Sequence, residues 1–253
     1  MVSIENLHKR YGRLVAVQNL SLQIPEGEVF GFLGPNGAGK TTTMKILAGL
    51  ARPTSGRVLV CGHDVHRSPR SAKALTGYVP DRPYVYEKLT AREFLFFAGG
   101  LYGLGGTHLD KRSAELLELF ELERWAEELV ESFSHGMRQR LVMAAALLHR
   151  PRVLVIDEPM VGLDPRAAEL VKKLFRQLAH EQRGAVFMST HTLEVAEQVC
   201  DRVGIIDHGR MIACGTMDEL RRQAGTGEQE NLMQLFLRLT EDSRNEDRAR
   251  DAV

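Results

Sequence analysis

The chain has 253 residues, 43% hydrophobic and 26% charged, and its 33 Lys+Arg balance 33 Asp+Glu for a formal net charge of zero. That balance suits one sizeable domain with a buried core and argues against a polybasic nucleic-acid surface as the main activity. Cys61, Cys200 and Cys214 form no CxxC pair, so they are expected as small packing side chains in a reducing compartment. No apolar run reaches the roughly 18 residues of a spanning helix. The N-terminus "MVSIENLHKRYG" reads as a strand and shows no export signal.

In chain order, short β-rich runs come first: "VSIENL", "NLSLQI", "EVFGFLG", "GRVLVCG" and "GYVP". Gly12, Pro25-Glu26-Gly27 and Pro53-Thr54-Ser55-Gly56 separate them as turns. Between Lys40 and Leu50 the apolar spacing becomes helical. From Thr90 to His149 no strand-like run occurs. "TARE" (90–93) predicts a capping box, and 110–122 and 137–150 predict two further helices. This middle third is expected as a helical subdomain inserted in an α/β core.

The core resumes with "RVLVIDE" (152–158), continuous and apolar as a strand covered on both faces should be. Asp164 and Pro165 fit the cap and first residue of a helix. "GAVFMST" (184–190) predicts a strand, "LEVAEQVC" a helix, and 202–215 a hairpin around His208-Gly209. Thr216 and Glu219 form a second capping box. Residues 241–253 have little to bury and are expected as a disordered tail.

Gly34 to Thr41 matches G-x-x-x-x-G-K-[ST] between a predicted strand and a predicted helix. Backbone N–H groups from Gly34 through Asn36, Gly37, Ala38 and Gly39 can curl around an anion, and the helix start adds unpaired donors. Lys40 places a charge between β and γ phosphates, Thr41 offers a hydroxyl to Mg²⁺, and Thr42 reaches the α phosphate. The pattern points to a bound nucleotide.

"VLVIDE" delivers Asp157 and Glu158 to the carboxyl end of a strand, where ligands of open α/β sheets bind. Asp157 is expected in the Mg²⁺ shell and Glu158 as the group that polarises an attacking water. His191 ends another strand. It is read either as a structural hydrogen-bonder or, if its strand lies beside 152–158, as a contact to the γ phosphate or the water. "FSHGMRQR" (133–140) puts Ser134 and the amides near Gly136 at a second helix start, which is either a plain N-cap or a second anion site.

Taken together, these residues resemble the ATP-binding-cassette (ABC) family, the nucleotide-binding subunits of ABC transporters, over about residues 2–220. "FSHGMRQR" is similar to the family signature, "GYVPD" (77–81) to its Q-loop and "MVGLDP" (160–165) to its D-loop. The resemblance implies an α/β P-loop NTPase core with an antiparallel β subdomain and an inserted helical subdomain. As one domain over 1–240, it implies a core of 1–86 and 150–220, helices over 87–149 and a C-terminal extension over 221–240. It assigns Tyr11 to stacking on adenine and Asp81 to the metal, although Asp81 stands where the family has glutamine. His135 replaces the first signature glycine.

The implied activity is ATP hydrolysis with ATP and Mg²⁺ as cofactors, and with Glu158, His191 and Lys40 at the reacting phosphate. ATP would be sandwiched head to tail between the phosphate loop of one subunit and Ser134 and Gly136 of another, as homodimer or sibling pair. Expected partners are a transmembrane permease at the cytoplasmic face of the cell membrane, with no nucleic acid and no metal beyond Mg²⁺. "ENLMQLFLRLT" (230–240) resembles the ABC-2 exporter-like branch. The rival readings are a soluble non-transport ABC ATPase, a P-loop phosphotransferase, and a nucleotide-binding module with a degenerate site.

Overall fold

The computed structural model describes residues 1–223, 225 and 232–251, with 242–251 described by backbone alone. The strands are β1 (Val2–Tyr11), β2 (Leu14–Ile24), β3 (Glu28–Leu33), β4 (Ser55–Val60), β5 (His63–Asp64), β6 (Thr76–Val79), β7 (Val153–Asp157), β8 (Ala185–Thr190), β9 (Arg202–Asp207) and β10 (Arg210–Gly215). The helices are α1 (Lys40–Leu47), α2 (Pro69–Ala74), α3 (Ala91–Leu101), α4 (Gly106–Leu119), α5 (His135–Leu147), α6 (Pro165–Arg176), α7 (Leu193–Val199), α8 (Met217–Gln223) and α9 (Leu232–Asp251).

Two sheets form. One has four strands in the order β2-β1-β4-β5, with every pairing antiparallel. The other has six in the order β10-β9-β3-β8-β7-β6, parallel except for β10 on β9. The P-loop NTPase core, antiparallel β sheet and helical subdomain expected from the resemblance are all present.

Residues of β3, β7 and β8 are buried throughout, so alternation is visible only in what each side chain touches. Val29, Leu154, Ile156, Val186 and Met188 belong to the core shared with α3, α4, α5 and α6. Their neighbours Phe30, Phe32, Val153, Val155 and Phe187 belong to the core shared with α1 and the antiparallel sheet. Phe187 stacks on Phe30 with centroids 5.8 Å apart and meets Phe32 at 5.3 Å, a mixed aromatic layer that fixes β8 against β3.

Local signals place the helix starts. Thr90 accepts from the Glu93 amide and Glu93 returns a bond to the Thr90 amide, and Thr216 and Glu219 repeat the exchange. Asp164 caps α6 by accepting from Ala167 N. α4 and α5 begin earlier than their apolar spacing suggests, and at α5 the cap is the Ser134 hydroxyl, which accepts from Met137 N. α2 has no counterpart in the sequence-based expectation, whereas the helix expected from Asp164 through His180 is present as α6 with its last turn, Gln177–Glu181, wound as a π turn. All three cysteines are free thiols, and burial pushes the Cys200 thiol above its ordinary value.

The expected disordered tail needs correction: α9 continues past Thr240 to Asp251. Residues 241–251 contain neither Gly nor Pro and carry Glu and Arg, which are good helix formers, so an anchored helix propagates through them. The anchor is the expected apolar stripe. Leu232 and Leu235 are fully buried with α7, β9 and β10, and Phe236 and Leu239 pack alongside. Glu230 and Asn231 of the C-terminal stretch, and residues 252–253 of the tail, lie outside the described residues.

Candidate nucleotide site

β3, β8 and β7 are adjacent and parallel, so their carboxyl ends open on one edge of the sheet. β3 runs into residues 34–39 and then α1. β7 ends at Asp157 and β8 at Thr190, with Asp157 in register with Ser189. Three loops that are far apart in sequence therefore meet.

The phosphate loop is held by its own backbone. Ala38 N donates to Pro35 O, and the Lys40 ammonium donates to Gly34 O at 2.6 Å and Pro35 O at 3.0 Å. Gly39 adopts φ +107, which a side chain would strain, and a carbon there would collide with Ala16 O. Lys40 is buried. Burial pushes its pKa below the usual lysine value, while Glu158 and Asp157 pull it upward. An ammonium withheld from water in this way gains most from an anion brought within reach.

Thr41 Oγ1 donates to Asp157 Oδ2 at 2.9 Å, which ties the start of α1 to the end of β7. The other Asp157 oxygen accepts from Ser189 Oγ. The sequence reading missed Ser189; its position two residues before His191, at the end of an apolar strand, was the available signal. Glu158 takes up a left-handed backbone with φ +50, unusual for a side chain of its size. That turn carries its carboxylate away from β7 to His191, whose Nδ1 is 2.8 Å from Glu158 Oε1 and whose amide donates to Oε2 at 3.4 Å. β8 lies beside β7, as the phosphate-contact reading of His191 requires, but the partner its ring has here is Glu158, and His191 does not line the nucleotide cavity.

A cavity of about 390 Å³ opens here. Asn36, Gly37, Gly39, Lys40, Thr41 and Thr42 form its floor, and Asp81, Asp157 and Glu158 one wall. Tyr11 and residues 14–16, from β1 and β2 of the other sheet, also line it. Tyr11 is 47% exposed, and the Lys9 ammonium sits over its ring, 4.5 Å from the centroid. Gly34 and Ala38 shape the loop from beneath without lining the cavity.

Ser134 and Gly136 stand apart from this cavity. Ser134 caps α5 by accepting from Met137 N at 3.3 Å. A side-chain carbon on Gly136 would lie 2.6 Å from Gly162 O, and one on Gly162, at φ +77, would collide with the His135 ring. The signature turn and residues 160–165 are thus pressed together within one chain.

Residues 17–161 match the family model described as ABC transporter. The chain belongs to the ABC transporter family. Among relatives of this ABC subunit, the linearmycin resistance ATP-binding protein LnrL of Bacillus subtilis (strain 168) is 41% identical over 89% of the chain and 72% of the relative. The daunorubicin resistance ATP-binding protein DrrA3 of Streptomyces coeruleorubidus is 41% identical over 88% and 71%. A solved structure described as the ATP binding subunit of an ABC transporter superposes with TM-score 0.88 at 34% identity, covering 95% of this chain and 99% of that one. The dimeric post-hydrolysis structure of the ATP-binding cassette MJ0796 bound to ADP and Pi gives TM-score 0.80 at 27% identity over 86% and 99%. The ABC subunit described here binds and hydrolyses ATP, and that activity is coupled to transport.

Proposed function

We propose that this subunit powers an exporter of the ABC-2-like branch from the cytoplasmic face of a membrane, through a separate permease. The Thr41–Asp157 bond carries the reading at the site, because it joins the phosphate loop to the strand that delivers Glu158. The names of the relatives, which speak of linearmycin and daunorubicin resistance and of Nod factor export, support the export branch. No helix among the described residues is long and apolar enough to cross a membrane.

Adenine lies against Tyr11, and the phosphates run along residues 36–42. Lys40 exchanges the Gly34 and Pro35 carbonyls for β and γ oxygens. Thr41, Asp157 and Asp81 form a hard oxygen set of the kind Mg²⁺ takes, and those residues would hold it. When bound there, Mg²⁺ neutralises charge on the phosphate oxygens. Glu158 orients the attacking water and receives its proton, and His191 holds Glu158 in place and contacts the γ phosphate. Ser134 and Gly136 of a second subunit close over the same phosphate, so ATP favours the closed pair and hydrolysis reopens it.

The permease side falls at the start of the helical subdomain. Tyr86 meets Phe97 edge to face at 4.9 Å, and Phe97 and Leu101 share one face of α3, where Leu101 is 73% exposed. Tyr84, 77% exposed, precedes them. Glu158→Gln tests the proposal: phosphate release stops while Mg-ATP drives the chain into a dimer. A Glu158→Gln protein that stays monomeric at saturating Mg-ATP, with its membrane companion present, overturns it.

A further inference from the structure

The cavity has two walls on different sheets, and something must set the distance between them. The phosphate loop leaves the parallel sheet at β3, while Tyr11 and residues 14–16 belong to the antiparallel sheet. The turn between β9 and β10 touches both. Gly209 N donates to Ala38 O of the phosphate loop at 2.9 Å, and Gly209 O accepts from Gln18 N of β2 at 2.7 Å. Arg210 Nε adds a bond to Gln18 Oε1 at 3.0 Å. One peptide turn thus bridges the two walls from behind.

Gly209 has no room for a side chain. Its φ is +79, and a carbon added there would lie 2.9 Å from Ala16 O and 3.2 Å from Val17 Cα. Both are backbone atoms of β2, so the strand itself would have to retreat. Ala16 lines the cavity next to Leu14 and Val15. On the loop side the obstacle is the same carbonyl, since Gly39 also abuts Ala16 O.

We propose that Gly209 is a positioning residue for the nucleotide, acting through Ala38 and Ala16 to fix the spacing between the phosphate loop and the base-side wall. This rests on the placement of adenine against Tyr11 given above. A ligand that spans both walls depends on the spacing, whereas one that occupies only the phosphate loop does not. ADP and pyrophosphate are such a pair, and neither is hydrolysed by the ATPase reaction.

The test measures binding of both to the full chain by calorimetry. Gly209→Ala should weaken ADP about tenfold while pyrophosphate changes less than about twofold. Gln18→Ala, which removes only the Arg210 contact, should move the ratio the same way by a smaller factor and carries the test if Gly209→Ala does not fold. Gly62→Ala is the control for backbone strain, because Gly62 has φ +82 with nothing within 4 Å of an added carbon; it should leave the ratio unchanged. Equal weakening of ADP and pyrophosphate, an unchanged ratio in both Gly209→Ala and Gln18→Ala, or the same ratio change in Gly62→Ala overturns the proposal. Tyr11→Ala separates the two readings: if it leaves ADP binding intact, the adenine placement falls, and the bridge is judged by the Gly209→Ala ratio alone.

Discussion

His191 Nδ1 lies 2.8 Å from Glu158 Oε1, which couples the end of β8 to the left-handed residue that follows β7. The pair behaves as one unit if the imidazole holds the carboxylate. His191→Ala should then lower kcat by about tenfold or more with little change in KM. Combined with Glu158→Asp, which keeps a carboxylate but shortens its reach to His191, it should cost nothing beyond Glu158→Asp alone. Steady-state phosphate release from the three variants checks this, and additive losses would show independent roles.

Thr41 contributes one hydroxyl, and the hydroxyl is bonded to Asp157. Thr41→Val keeps the shape and removes the oxygen. Wild-type protein should bind ATP more tightly with Mg²⁺ than in chelator, by about tenfold. The variant, left with only the two carboxylates, should show a smaller difference, as titration of each with and without Mg²⁺ would reveal.

Gly162 and His135 occupy each other's space. Gly162→Ala should destabilise the chain by about 1–3 kcal/mol, through left-handed strain and the imidazole collision. His135→Gly should recover the collision part, giving a coupling of about 0.5–3 kcal/mol in a double-mutant cycle of urea unfolding. A coupling of zero would mean the ring turns aside at no cost.

His149 stacks on Tyr102 with centroids 3.7 Å apart, and its Nε2 is 3.1 Å from Thr76 O. Burial lowers its pKa below the ordinary 6.5, and the Thr76 bond opposes this only in part. The unfolded chain therefore takes up this proton first as the pH falls. The stabilising contribution is complete above pH 6.5 and drains away as the pH drops toward the lowered folded value. Tm should fall between pH 7.5 and 5.5 by more in wild-type protein than in His149→Phe. Parallel curves would refute it.

The sequence displayed the chemistry better than it displayed the supports. Lys40, Thr41, Asp157 and Glu158 sit in local patterns that single them out by spacing, and the fold brings the four to one cavity. Ser189 is not singled out in that way, because a serine at a strand end has meaning only once β7 and β8 are known to be neighbours in register. The left-handed Glu158 was equally hidden, since nothing local calls for that backbone. Helix caps were readable at Thr90, Asp164 and Thr216, whose side chains act within a few residues. α9 beyond Thr240 was misread because hydrophobic content, rather than propagation from an anchored turn, decided the expectation.

The exposed rings near α3 also bear on supply. If the proposed permease docks there, a copy made without it carries Tyr84, Phe97 and Leu101 into water, the kind of surface that promotes aggregation and recognition by chaperones or proteases. Surplus subunits would then be cleared and matched ones spared, so the docking face would also enforce stoichiometry. Replacing Phe97 with Ser should lengthen the cellular lifetime of the lone subunit, and an unchanged lifetime would assign its turnover to another cause.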